Sequence, residues 1–167
     1  MGTGCDETMR AAEFITEVKI DNRGGLGAVP YNADVDYFGL KVAMKPSMFL
    51  ALGLPLDAND PEERETIQYL RQQIDNPGFG APFLTITVPQ AWEDGDFNQE
   101  ARVRDHDGRH RMYAILDQQG DAPVETHLFL SHFRRRDITD DIIAHLRDGM
   151  LNQSGQYVSG PIFGAAE

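Results

Sequence analysis

Residues 101–130 constrain this chain most. They read as a strand, a tight turn, a helix and a second strand, and the turn is Asp107-Gly108-Arg109-His110-Arg111. Alternation places the first strand at 101–105. The helix is predicted over 109–119, with Met112, Ile115 and Leu116 inward and Gly120 as its stop. The second strand, 123–130, carries Val124, Thr126, Leu128 and Leu130 on one side. The first N–H groups of such a helix lack internal partners and point outward with partial positive charge, a natural seat for phosphate. Gly108 lets the backbone approach a ligand closely. Arg109 and Arg111 offer guanidinium forks suited to phosphate oxygens. His110 can donate a hydrogen bond or shuttle a proton. Asp107 can take a proton from a hydroxyl or hold Mg²⁺. The plainer alternative makes Asp107 a helix cap and the arginines solvated surface.

Charge distribution bears on the same stretch. The chain of 167 residues has a net charge of −12. Residues 101–136 run the other way, with seven arginines against five acids, leaving −14 on the remainder. Four of the five histidines, at 106, 110, 127 and 132, also lie there. A basic island in an acidic chain reads either as a local anion site or as arginines paired with neighbouring acids. The overall acidity disfavours binding to bulk nucleic acid.

Elsewhere the signals are structural. Residues 1–11 read as a tail, 12–150 as one domain and 151–167 as a loop-like C-terminal extension. Alternation predicts strands over 13–20 and 37–44, and β-forming residues predict one over 83–88. Pro46 opens a short helix that Gly53 stops. Asp60, Pro61 and Glu63 have the spacing of a capping box, opening a helix with Ile67, Leu70 and Ile74 on its apolar face and ending at 76–78. Residues 91–99 form an acidic loop around Trp92. Thr139 caps a last helix bearing Ile142, Ile143 and Leu146. The order of elements is mixed, giving a single α/β or α+β domain with a mixed sheet. The start lacks the basic and apolar segments of a secretory signal, the apolar runs are too short to span a membrane, and Cys5 is the single cysteine. A cytoplasmic protein without membrane attachment is the expectation.

Other motifs carry less. Gly24-Gly25-Leu26-Gly27 opens no clear helix and reads as a turn. His127 and His132 lack a third partner at zinc-ligand spacing. Arg134-Arg135-Arg136 can clamp a phosphate or lead into a solvated helix. Lys41 and Lys45 can each reach a phosphate or lie on the surface.

The segments 41–46, 66–74 and 83–88, the turn Asp107-Gly108-Arg109-His110-Arg111, and Gly120-Asp121-Ala122-Pro123-Val124 together resemble the ParB N-terminal/sulfiredoxin superfamily over about residues 37–132. The resemblance implies a single domain in which the strand–turn–helix grips nucleotide phosphates through Gly108, Arg109, His110 and Arg111, and Lys45 is a further phosphate-binding candidate. Sulfiredoxins carry a cysteine in this motif. Arg109 stands there, which argues against sulfinic acid reduction. The closest turn is that of the free serine kinase branch, which would make Asp107 and His110 catalytic, with ATP or another nucleotide and Mg²⁺ as cofactors. Small proteins of this type from phages and mobile elements are also similar. Three functions follow as expectations. The first is an ATP-dependent phosphotransferase or nucleotide hydrolase. The second is a non-catalytic nucleotide-sensing or protein-interaction module, such as an accessory or inhibitor protein. The third is a ParB-like nuclease, which the acidity makes the weakest.

Overall fold

The computed structural model describes residues 15–16, 38–76, 79–131 and 139–165. The expectations for residues 24–27, His132, Arg134-Arg135-Arg136 and most of the strand over 13–20 lie outside the described residues.

One mixed sheet organises the chain. Its strands are β1 (Ile15–Thr16), β2 (Phe38–Met44), β3 (Phe83–Thr87), β4 (Arg102–Asp107), β5 (Val124–Ser131), β6 (Gly149–Leu151), β7 (Tyr157–Ser159) and β8 (Gly164–Ala165). The order is β1-β2-β5-β3-β4-β6-β7, and β8 also pairs with β2. The β3–β5 and β4–β6 pairs are parallel and the others antiparallel. Parallel neighbours need a crossover. Between β3 and β5, strand β4 and helix α3 (Arg109–Gln119) supply it. Three further α-helices are described: α1 (Pro46–Leu52), α2 (Pro61–Arg71) and α4 (Asp140–Asp148).

Alternation sorts the strand residues between the two faces of the sheet. Leu40, Val42 and Met44 of β2 join Leu84 and Ile86 of β3 and Leu128 and Leu130 of β5 in one core. Phe49 and Leu52 from α1, Met112 and Ile115 from α3, and Ile142, Ile143 and Leu146 from α4 pack into the same cluster. On the opposite face Phe83 and Phe129 meet edge to face at 5.4 Å. In α3 the inward residues are Met112, Ala114 and Ile115, with Leu116 only half-buried.

Three sequence expectations change. The stretch after residue 150, read as loop-like, supplies β7, β8 and part of β6, and sends Ile162 and Phe163 into the core. Strands of two or three residues are too short to show alternation, and their pairing is non-local. The loop around Trp92 contains a 3-10 helix, Gln90–Asp94. Burying the indole leaves its N–H to be satisfied, and it donates to the Gln99 carbonyl at 2.8 Å. Strand β4 runs on to Asp107, past the expected end at 105, across a register shift opposite Thr85/Ile86.

Candidate functional site

Strand β4 ends at Asp107, Gly108 turns the chain, and α3 begins at Arg109. Gly108 is the N-cap of α3 with φ 107°, in the left-handed region that favours glycine. A Cβ there would also lie 2.8 Å from Cβ of Pro82. Among the described residues no side chain caps α3. This removes the cap role for Asp107, whose carboxylate instead accepts from Nη2 of Arg111 at 3.2 Å. The N–H groups at the start of α3 therefore keep their outward positive end. Gly108, Arg109 and His110 are half-buried.

The two turn arginines are largely committed to the chain itself. Arg111 donates through Nη1 to the Phe79 carbonyl at 3.1 Å and to the Ala81 carbonyl at 3.5 Å. Its side chain is only 14% exposed. Burial lowers its pKa below the usual arginine value, and the Asp107 charge opposes that shift. Arg111 thus ties the end of β4 to the segment entering β3. Arg109 donates through Nη1 to the carbonyls of Pro55 at 3.2 Å and Leu54 at 3.5 Å, which holds the loop after α1 against the turn.

His110 faces a carboxylate that the sequence assigned elsewhere. Asp60 does cap α2, accepting from the N–H groups of Glu62 and Glu63. Glu63 does not complete a capping box, because the Asp60 N–H donates to the Asp57 carbonyl. The Glu63 carboxylate accepts from Nε2 of His110 instead. Further along, Arg71 pairs with Asp117 at 3.0 Å. Helices α2 and α3 therefore lie side by side and run in the same direction, with their amino ends together. The capping-box spacing carries no trace of this contact, which is set by how α2 packs on α3.

The remaining candidates are dispersed. Lys45 is exposed and precedes α1. It lies by Asp121, which accepts from the N–H of Ser47 at 2.8 Å and from its hydroxyl at 2.5 Å. Those bonds, the hydroxyl one first, hold the Asp121 carboxyl below its usual range. Strands β5 and β3 separate β2, which leads into Lys45, from β4 and the turn. Lys41 pairs with Glu125 at 2.8 Å. Asp105 and Asp107, two apart in β4, share a face, and Asp105 has Arg104 at 3.6 Å. Among the described residues no group of three His, Cys, Asp or Glu side chains is placed to hold a metal ion.

His106 is a residue the sequence did not single out. It stacks on Phe49 at 5.7 Å, its buried Nε2 has no partner among the described residues, and a Cβ on Gly53 would fall 1.6 Å from that atom. Burial, then the Arg109 charge, push its pKa below the ordinary histidine value. Its position on the core face follows from its pairing with Leu84. No helix among the described residues is long and apolar enough to cross a membrane. Comparison with protein-family models, curated proteins and solved structures finds no match to this chain.

Proposed function

We propose that this protein binds a phosphate-bearing ligand at the amino end of α3, and that the ligand is a nucleotide, as the resemblance to the ParB N-terminal/sulfiredoxin superfamily implies. The observation that carries the reading is the uncapped start of α3 behind a left-handed Gly108. A helix of 11 residues presents its free N–H groups and dipole there.

In the enzymatic form of the proposal, an ATP-dependent phosphotransferase or nucleotide hydrolase, Asp107 is the base or the Mg²⁺ carboxylate. His110 contacts phosphate, with Glu63 orienting its ring. Arg109 and Arg111 add positive field while shaping the turn. A non-catalytic nucleotide-sensing or protein-interaction module in the cytoplasm is the second reading. It is favoured by the Asp107 carboxylate and both guanidinium groups being engaged by the chain itself. A ParB-like nuclease accords least with a net charge of −12.

Calorimetry with pyrophosphate and a nucleotide panel, with and without Mg²⁺, tests the site. The wild type should bind pyrophosphate and at least one nucleotide, and His110→Ala should bind both at least tenfold more weakly. Wild-type protein that binds neither would sink the proposal. Phosphate release with any nucleotide selects the enzyme over the module.

A further inference from the structure

Helices α2 and α3 enclose a groove of about 190 Å³ on their outer side. Its polar walls are Asn59, Arg64, Gln68, Arg71, Tyr113 and Asp117, and Ile67 lies beneath them. Arg71 and Asp117 are already paired. Among the described residues, Arg64 has no ion-pair partner and the Tyr113 hydroxyl has no hydrogen bond. The groove thus combines a phenol ring, an unpaired guanidinium, an amide from each of Asn59 and Gln68, and an apolar floor in Ile67, which is 5% exposed. Planar donors and acceptors beside an aromatic ring suit a flat heterocycle with hydrogen-bonding edges.

The groove begins about one helical turn beyond the candidate site. Tyr113 lies one turn beyond His110 on α3, and Arg64 follows Glu63 on α2. The seven steps from His110 to Asp117 span about 10 Å along the helix. That is within reach of an extended mononucleotide with its phosphates at the amino end of α3.

We propose that this groove is the base-binding half of the site, taking the heterocycle of a nucleotide between Tyr113 and Arg64. The proposal rests on the phosphate reading of the α3 amino end but has its own readout. Pyrophosphate, ribose 5-phosphate, nucleoside 5′-monophosphates and free nucleosides are titrated by calorimetry. Tyr113 and the arginine side chains are followed by NMR.

At least one nucleoside monophosphate should bind tenfold or more tightly than ribose 5-phosphate. Tyr113→Ala should erase that advantage and leave pyrophosphate affinity unchanged. Arg64→Ala alters an exposed side chain, and should reduce the advantage at least threefold without changing the melting temperature. If pyrophosphate binds but no base adds affinity, or if both variants keep the full advantage, the groove assignment is overturned and the phosphate site stands. If pyrophosphate fails to bind while a free nucleoside shifts the Tyr113 ring resonances, the phosphate reading falls and the groove assignment survives. Absence of both signals overturns both.

Discussion

The guanidinium of Arg111 and the carboxylate of Asp107 lie 3.2 Å apart across the turn that joins β4 to α3. The same guanidinium reaches the carbonyls of Phe79 and Ala81, so one side chain joins three backbone segments: the end of β4, the start of α3 and the approach to β3. The residue that looks most like a phosphate fork is also a strut. Its removal therefore affects folding and binding together.

Arg111→Ala should cost about 2–3 kcal/mol of stability, the scale of a charge-assisted hydrogen-bond set lost from a mostly buried position. Nucleotide or phosphate affinity should fall at least tenfold as well, and Arg111→Lys should recover part of the stability. Urea unfolding beside calorimetry separates the effects. Wild-type stability in Arg111→Ala would refute the strut, and unchanged affinity in folded protein would refute a role in anion binding.

Asp107→Asn should leave the fold nearly intact, since the amide oxygen can still accept from Arg111. Any nucleotide turnover should be abolished, because the amide can neither take a proton nor hold Mg²⁺. Asp105→Asn is the parallel control, as Asp105 shares the β4 face with Asp107. An active wild type whose phosphate release survives both substitutions would rule out the carboxylate mechanism. It would leave the amino end of α3 as a binding site.

Acid should weaken the fold through two histidines. Burial is the largest cause lowering the pKa of both His106 and His127 from 6.5. A histidine with a lowered folded-state pKa binds more protons when unfolded. Its stability contribution is complete above about pH 6.5, and is lost as pH falls from there toward the folded-state value. In imidazole NMR titrations both rings should titrate below 6.5, and urea midpoints should fall between pH 7 and pH 5. A ring titrating at or above 6.5 would contradict the burial argument for that residue.

Gly53→Ala should destabilise by about 1–3 kcal/mol, the usual cost of overpacking. The backbone is not the reason, since φ at Gly53 is an ordinary −94°. The obstacle is the His106 ring beneath it. In the double variant Gly53→Ala/His106→Ala the cost of the added methyl should largely vanish. Thermal melts of the four proteins give the coupling, and strictly additive effects would place the Gly53 constraint elsewhere.

The elements with strong local signals were legible in the sequence. The periodicity of β2 and β5, the Asp60 cap of α2, the Thr139 cap of α4 and the Gly108 turn appear where the residues put them. Each depends on contacts within a few positions, or on a repeat that matches the geometry of one element. The partners of the turn residues were not legible. Glu63 has the spacing of a capping box, yet its carboxylate goes to His110, 47 positions away. Asp121 sits in a return-strand motif, yet it binds Ser47 at the start of α1. The short strands β7 and β8 have too few residues to declare a period, and exist through pairing with β6 and β2. The sequence by itself determined a glycine-led helix start in a basic stretch, because those are properties of adjacent residues. Only the tertiary structure decided that Arg109 and Arg111 are spent on carbonyls, that Lys45 stands apart and that Glu63 meets His110, because side-chain partnerships across a fold depend on how helices and strands pack.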